Sequence, residues 1–109
     1  MAQAYKVLAQ SAPAAITNTD ILTVGAGKQI VASTVTICNR GGSAAQYRIA
    51  VRVGGAAIAD SQYIAFGANV SANDTVALTL GLTLQANDVV TVYASGATLS
   101  FNIFGCEIT

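Results

Sequence analysis

Asp74-Thr-Val-Ala-Leu-Thr-Leu-Gly-Leu-Thr-Leu-Gln85 alternates without a break. Val76, Leu78, Leu80, Leu82 and Leu84 hold one parity, and Thr75, Ala77, Thr79, Gly81, Thr83 and Gln85 hold the other. Successive side chains of a β-strand point to opposite faces, so the stretch predicts a strand with an oily face and a threonine face. The same period of two recurs at Gln29 to Arg40, Gln46 to Val53, Asp88 to Ser95 and Thr98 to Phe104, each rich in β-branched or aromatic residues. Weaker alternation at Ala4 to Gln10, Asp20 to Val24 and Ile58 to Phe66 brings the number to about eight strands. No stretch carries a helical period.

The punctuation fits this reading. Gly25-Ala-Gly27, Arg40-Gly-Gly-Ser43, Gly54-Gly55 and Ser95-Gly96 fall between the candidate strands, where tight connections need positive φ. Ala72-Asn-Asp-Thr-Val76 and Ala86-Asn-Asp-Val-Val90 each place Asn-Asp before a strand and read as two Asx-type turns ahead of neighbouring strands. Turns at this spacing predict an all-β fold: a single antiparallel β-sandwich or jelly roll, with one domain over residues 1–109.

Composition narrows function by exclusion. Only 9% of the 109 residues are charged and 53% are hydrophobic, with five Lys+Arg balancing five Asp+Glu. Leu, Ile, Val and Phe number 30, too many for a disordered chain. A balanced, sparse charge offers no field for nucleic acid and no polybasic segment for an anionic membrane, so neither partner is expected. The longest apolar runs, Ala56 to Ala59 and Tyr63 to Phe66, fall far short of a spanning helix. The opening Met-Ala-Gln-Ala-Tyr-Lys-Val-Leu has no apolar core of a secretory signal, so the chain is expected to stay in the cell that makes it.

Catalytic material is scarce. There is no His or Trp, Gly25-Ala-Gly27-Lys28 lacks the glycine and hydroxyl spacing of a phosphate loop, and the five acids are scattered. Cys38 and Cys106 have no partners for a zinc site. A disulfide between them needs adjacent strands, and a reducing cytosol favours two free, mostly buried thiols. No cofactor, metal or enzymatic activity is expected. Thr34, Thr36, Thr75, Thr79 and Thr83 suggest an ice- or surface-binding face, although threonine is also common on any exposed strand.

Three features point to assembly. A soluble monomer usually carries a net charge of about 2 to 8, whereas this chain has none, and close packing of copies would hide the uncharged surface. Arg48 and Arg52, four residues apart, share one face of a strand. They read either as solvated charges that discourage edge pairing or as a row that pairs with carboxylates of a neighbouring subunit. The segment Ala4 to Gln10, with Tyr5 and Val7, reads as an arm contacting a neighbour or a larger shell. Tyr5, Val7, Arg48 and Arg52 are therefore the candidate subunit-interface residues.

Leu80-Gly-Leu-Thr-Leu-Gln-Ala-Asn-Asp-Val-Val-Thr-Val-Tyr93 and Leu99-Ser-Phe-Asn-Ile-Phe-Gly-Cys-Glu-Ile108 resemble the closing strands of trimeric jelly-roll heads of the complement C1q and tumour necrosis factor type, with Ala86-Asn87 where that pattern usually has glycine. A likeness along nearly the whole chain is carried by Tyr5-Lys-Val-Leu-Ala-Gln-Ser-Ala-Pro13, Gly25-Ala-Gly-Lys-Gln29, Thr36-Ile-Cys-Asn-Arg-Gly41 and Tyr47-Arg-Ile-Ala-Val-Arg52. These stretches resemble small β-sandwich virion proteins of tailed bacteriophages, particularly those infecting cyanobacteria. The resemblance implies a homotrimer in the virion, assembled in the host cytoplasm. Its partners would be the major capsid protein or other virion proteins, and its role capsid decoration or cement. The alternative role is a receptor- or glycan-binding module of a fibre or spike.

Overall fold

The computed structural model describes residues 2–109 and contains eight strands and no α-helix. The strands are β1 (Gln3–Ser11), β2 (Thr19–Thr23), β3 (Gln29–Asn39), β4 (Ala45–Arg52), β5 (Tyr63–Val70), β6 (Thr75–Leu84), β7 (Val89–Ala94) and β8 (Leu99–Ile108). They form two antiparallel four-stranded sheets, sheet A in the order β1-β8-β3-β6 and sheet B in the order β2-β7-β4-β5. First strand lies against last, second against seventh, third against sixth and fourth against fifth. This is a long hairpin rolled up across two sheets, the jelly-roll topology.

The core lies between the sheets because alternation turns one set of side chains inward. Leu99, Phe101 and Ile103 of β8, Val35 and Ile37 of β3, Tyr47 and Ile49 of β4, and Val90 and Val92 of β7 are buried there. The Tyr47 ring of sheet B meets the Phe101 ring of sheet A edge-on, at 6.4 Å between centroids and 76° between planes. That is the favoured geometry of an aromatic pair.

Each end of the sandwich is held by one buried polar side chain. Asn39, at the end of β3, donates through Nδ2 to the carbonyls of Ser43 (2.8 Å) and Val70 (3.2 Å). Its Oδ1 accepts from Gly41 N–H (3.0 Å) and Thr98 Oγ1 (2.9 Å). At the opposite end Asp88 accepts from Gly54 N–H (2.8 Å) and Gln85 N–H (2.9 Å). The two Asn-Asp repeats form turns in which Asn73 (φ 55°) and Asn87 (φ 72°) are left-handed. The strands they precede, β6 and β7, are consecutive in the chain but lie in different sheets, not side by side.

The strand expected at Ile58 to Phe66 is displaced. Residues 58–62 form a loop with a 3-10 turn at Asp60–Gln62, and β5 instead runs on through Gly67-Ala-Asn-Val70. Gly67 takes φ 69°, where a side chain would be strained, and absorbs a register break between Tyr47 and Arg48 of β4. Pairing with Ala45–Tyr47 thus overrides the local breaker signal of Gly and Asn.

A line of irregularities crosses sheet A. Register shifts at Leu8 of β1, Ser33 of β3 and Leu80-Gly81 of β6 fall beside one another near Phe104-Gly105 of β8. This is why Leu80, core-facing by alternation alone, is 43% exposed.

Candidate functional site

The two outer faces of the sandwich differ in chemistry. On sheet A the register sets Tyr5, Cys106, Val31 and Thr83 in one row across all four strands, with Val7, Phe104 and Thr34 in the next. Farther along lie Gln10, Asn102, Thr36 and Ala77. No side chain that the register places on this face is charged. Lys6 and Glu107 have the core-facing parity at the sheet end, where Lys6 Nζ is 3.1 Å and Lys28 Nζ 3.8 Å from Glu107 Oε1. The hydrogen bond from Lys6, followed by the charges of Lys28 and Lys6, outweighs partial desolvation and holds the Glu107 carboxyl below its ordinary range. Tyr5 is 82% exposed and Val7 48%, and Val31 and Phe104 beside them are also open.

Ala4 to Gln10 is not a detached arm. It is edge strand β1, bonded to β8 along its length, and the ladder extends to Ala2 and Thr109. The five threonines singled out in the sequence all share the outer face of sheet A, but Ala77 and the Leu80-Gly81 break interrupt any regular array. Cys38 and Cys106 lie on the adjacent strands β3 and β8 and are free. Cys38 opposes Ser100 while Cys106 opposes Val31, an offset of roughly 20 Å at about 3.3 Å per residue, which no disulfide spans.

Arg48 and Arg52 lie on the opposite side of the molecule from Tyr5 and Val7, so the four candidate interface residues do not form one patch. The two arginines share a face of β4, as their spacing requires, yet their surroundings differ. Arg52 is engaged by its own chain. Its Nε donates to Ala56 O (2.8 Å), Nη2 to Gly55 O (3.1 Å), and Nη1 to Asp20 Oδ1 (2.8 Å) and Thr91 Oγ1 (3.3 Å). It fastens the loop after β4 to β2 and β7, which leaves little of its fork for a carboxylate of a neighbouring subunit.

The Thr91 hydroxyl donates to Asp20 at 2.6 Å. This bond first, and then Arg52, hold the Asp20 carboxyl below its ordinary value of 3.8 against some desolvation. A carboxylate with a depressed folded-state pKa adds stability above its unfolded pKa and loses it as pH falls through the folded value. The urea midpoint of the wild type is therefore expected to exceed that of Asp20→Asn at neutral pH. The difference should close only below pH 3.8. A difference independent of pH would show that Asp20 acts without its charge.

Arg48 is held between two rings. Phe66 of β5 and Tyr93 of β7 are its direct cross-strand neighbours, and its guanidinium carbon lies 4.2 Å from each ring centroid. Its N–H groups donate to no described residue. Tyr63 meets Phe66 edge-on at 4.9 Å, and Asp60, Tyr63 and Phe66 line an open cleft of about 300 Å³. Arg48 was singled out by sequence, whereas Phe66 was not, because it reaches Arg48 only through the Gly67 irregularity.

Among the described residues, no group of three His, Cys, Asp or Glu side chains is placed to hold a metal ion. Compared with known proteins, the sequence matches no family model and no curated relative.

Proposed function

We propose that the chain is a virion structural protein of a tailed bacteriophage, a capsid decoration or cement subunit that forms a homotrimer through the outer face of sheet A. The observation that carries the assembly part is the charge-free face bearing exposed Tyr5, Val7, Val31 and Phe104. Four strands about 4.8 Å apart and about ten residues long give a face of roughly 600 Å² in plan. Divided between the two neighbours of a trimer subunit, this is less than the ~800 Å² per partner of a standard interface, so each contact is shallow. Charge depletion with aromatic enrichment is the composition of an interface centre, and copies meeting there bring no like charges together. The virion setting and the trimer come from the sequence resemblance. Many shallow contacts at high copy number would reinforce a shell by avidity.

Light scattering over a dilution series is expected to give three times the 11.0 kDa chain mass. The double variant Tyr5→Lys/Val7→Lys should run as a folded monomer with an unchanged far-UV spectrum, because buried, unpaired ammonium groups oppose association. Mass spectrometry of the purified phage encoding the chain should find it at high copy number. A wild type monomeric at every concentration removes the assembly reading, and absence from the virion removes the structural role.

A further inference from the structure

We infer that the outer face of sheet B carries a binding site for a carboxylated sugar residue, of the uronic or sialic acid type, built from Arg48, Phe66, Tyr63 and Asp60. Asp60, Tyr63 and Phe66 line one cleft, and Arg48 adjoins it through its contact with Phe66, so three chemistries are available. The first is a guanidinium whose carbon lies over both the Phe66 and Tyr93 rings, 4.2 Å from each centroid, and whose N–H groups donate to no described residue. Stacking removes most of the rotamer freedom that an arginine loses on binding, and a pre-oriented fork matches a carboxylate two bonds at a time. A carboxylate lies in the plane of the fork it pairs with.

The second is an apolar platform. Phe66 is 61% exposed, although a buried position for such a ring would be worth about 1.5–3 kcal/mol. Tyr63 packs against it at 84° between planes, with the centroids 4.9 Å apart. One face of the ring carries Arg48, and its exposed remainder can pack against the C–H face of a pyranose. The third is an acceptor. Asp60 lines the same cleft and its carboxylate takes no hydrogen bond from a described residue, so it is open to sugar hydroxyls. The cleft of about 300 Å³ sits at the lower end of small-ligand sites, about 300–1,000 Å³, the scale of a single sugar unit rather than a long chain. A neutral sugar leaves the Arg48 fork unused, and a simple carboxylate leaves Phe66 and Asp60 unused. A carboxylated sugar uses all three. The site is independent of association through sheet A, because it lies on the other sheet.

The test is a titration followed by NMR at the Arg48 Nε–H and the Phe66 ring. The probes are oligosaccharides of galacturonate, glucuronate and terminal sialic acid, with a neutral maltooligosaccharide and acetate as comparisons. At least one carboxylated sugar is expected to give saturable shifts at both residues, with the neutral sugar and acetate much weaker. Arg48→Gln is expected to weaken binding at least tenfold, the scale of losing a charge-assisted pair. Arg48→Lys should fail to restore it, since a point charge does not replace the fork, and Phe66→Ala should weaken it comparably. Far-UV spectra and unfolding midpoints establish that each variant is folded. Absence of saturable shifts with every carboxylated sugar overturns the inference. So does equal response to acetate, or binding that survives Arg48→Gln.

Discussion

Gly105→Ala is expected to destabilise the protein by about 3 kcal/mol, lowering the thermal midpoint by roughly 10–20 °C. A Cβ at this position would overlap Val31 O and lie 2.8 Å from Ala32 Cα, both backbone atoms of β3. No rotamer change relieves such a clash, because backbone must move, and here the backbone sits inside a sheet paired on both sides. Gly105 faces Ala32 at the Ser33 bulge, where the ladder between β8 and β3 draws close while the register slips by one residue. The matched comparison is Gly96→Ala, which meets no atom within 4 Å and has no positive φ, so its midpoint should move by little. Thermal denaturation of the two variants under one condition checks the pair. Equal midpoints would mean that the close approach of β3 to β8 is dispensable.

Asn39→Ala is expected to cost about 3 kcal/mol as well, by a different route. Asn39 is 1% exposed and satisfies four groups at once: the carbonyls of Ser43 and Val70, the N–H of Gly41 and the hydroxyl of Thr98. It ties the end of β3 to the loop before β4, to the end of β5 and to the start of β8. Removing one amide leaves several buried partners unpaired, each costing about 1–3 kcal/mol unless water reaches it. Asn102→Ala serves as the comparison, since its one side-chain bond, with Gln10 at 2.8 Å, lies on the surface. Denaturant midpoints at unchanged slope should separate the two variants clearly. An Asn39→Ala midpoint close to that of Asn102→Ala would mean that water replaces the amide.

Charge placement links these stability features to function. Of the strand-borne charges, Asp20, Arg48 and Arg52 lie on the outer face of sheet B, and Lys6 and Glu107 turn to the core-facing side at the end of sheet A. The sandwich therefore has one charge-free outer face and one that combines charged and aromatic side chains. Neither face could be drawn from the sequence, because each unites residues from four strands distant in the chain.

Particular elements mark how far the sequence could be read. Thr75 to Leu84, Gln29 to Asn39 and Val89 to Ala94 formed strands close to their predicted bounds, because alternation and β-branched side chains are local properties. Tyr5 and Val7 were legible only as candidate contact residues of the segment Ala4 to Gln10. Their companions Val31 and Phe104 were not, since only the β1-β8-β3 register brings them together. Arg48 and Arg52 looked equivalent by spacing, but Arg52 is consumed by Asp20, Thr91 and its own loop, whereas Arg48 is stacked with its donors open.

The sequence by itself determined the all-β class, the approximate number of strands and a nearly charge-free composition, because side-chain parity and turn chemistry act over a few residues. Only the tertiary structure decided the jelly-roll order, the bulges at Ser33 and Gly67, and which side chains share a face. A β-sheet joins residues through backbone hydrogen bonds that carry no side-chain identity, so register is settled by the packing of the whole sandwich.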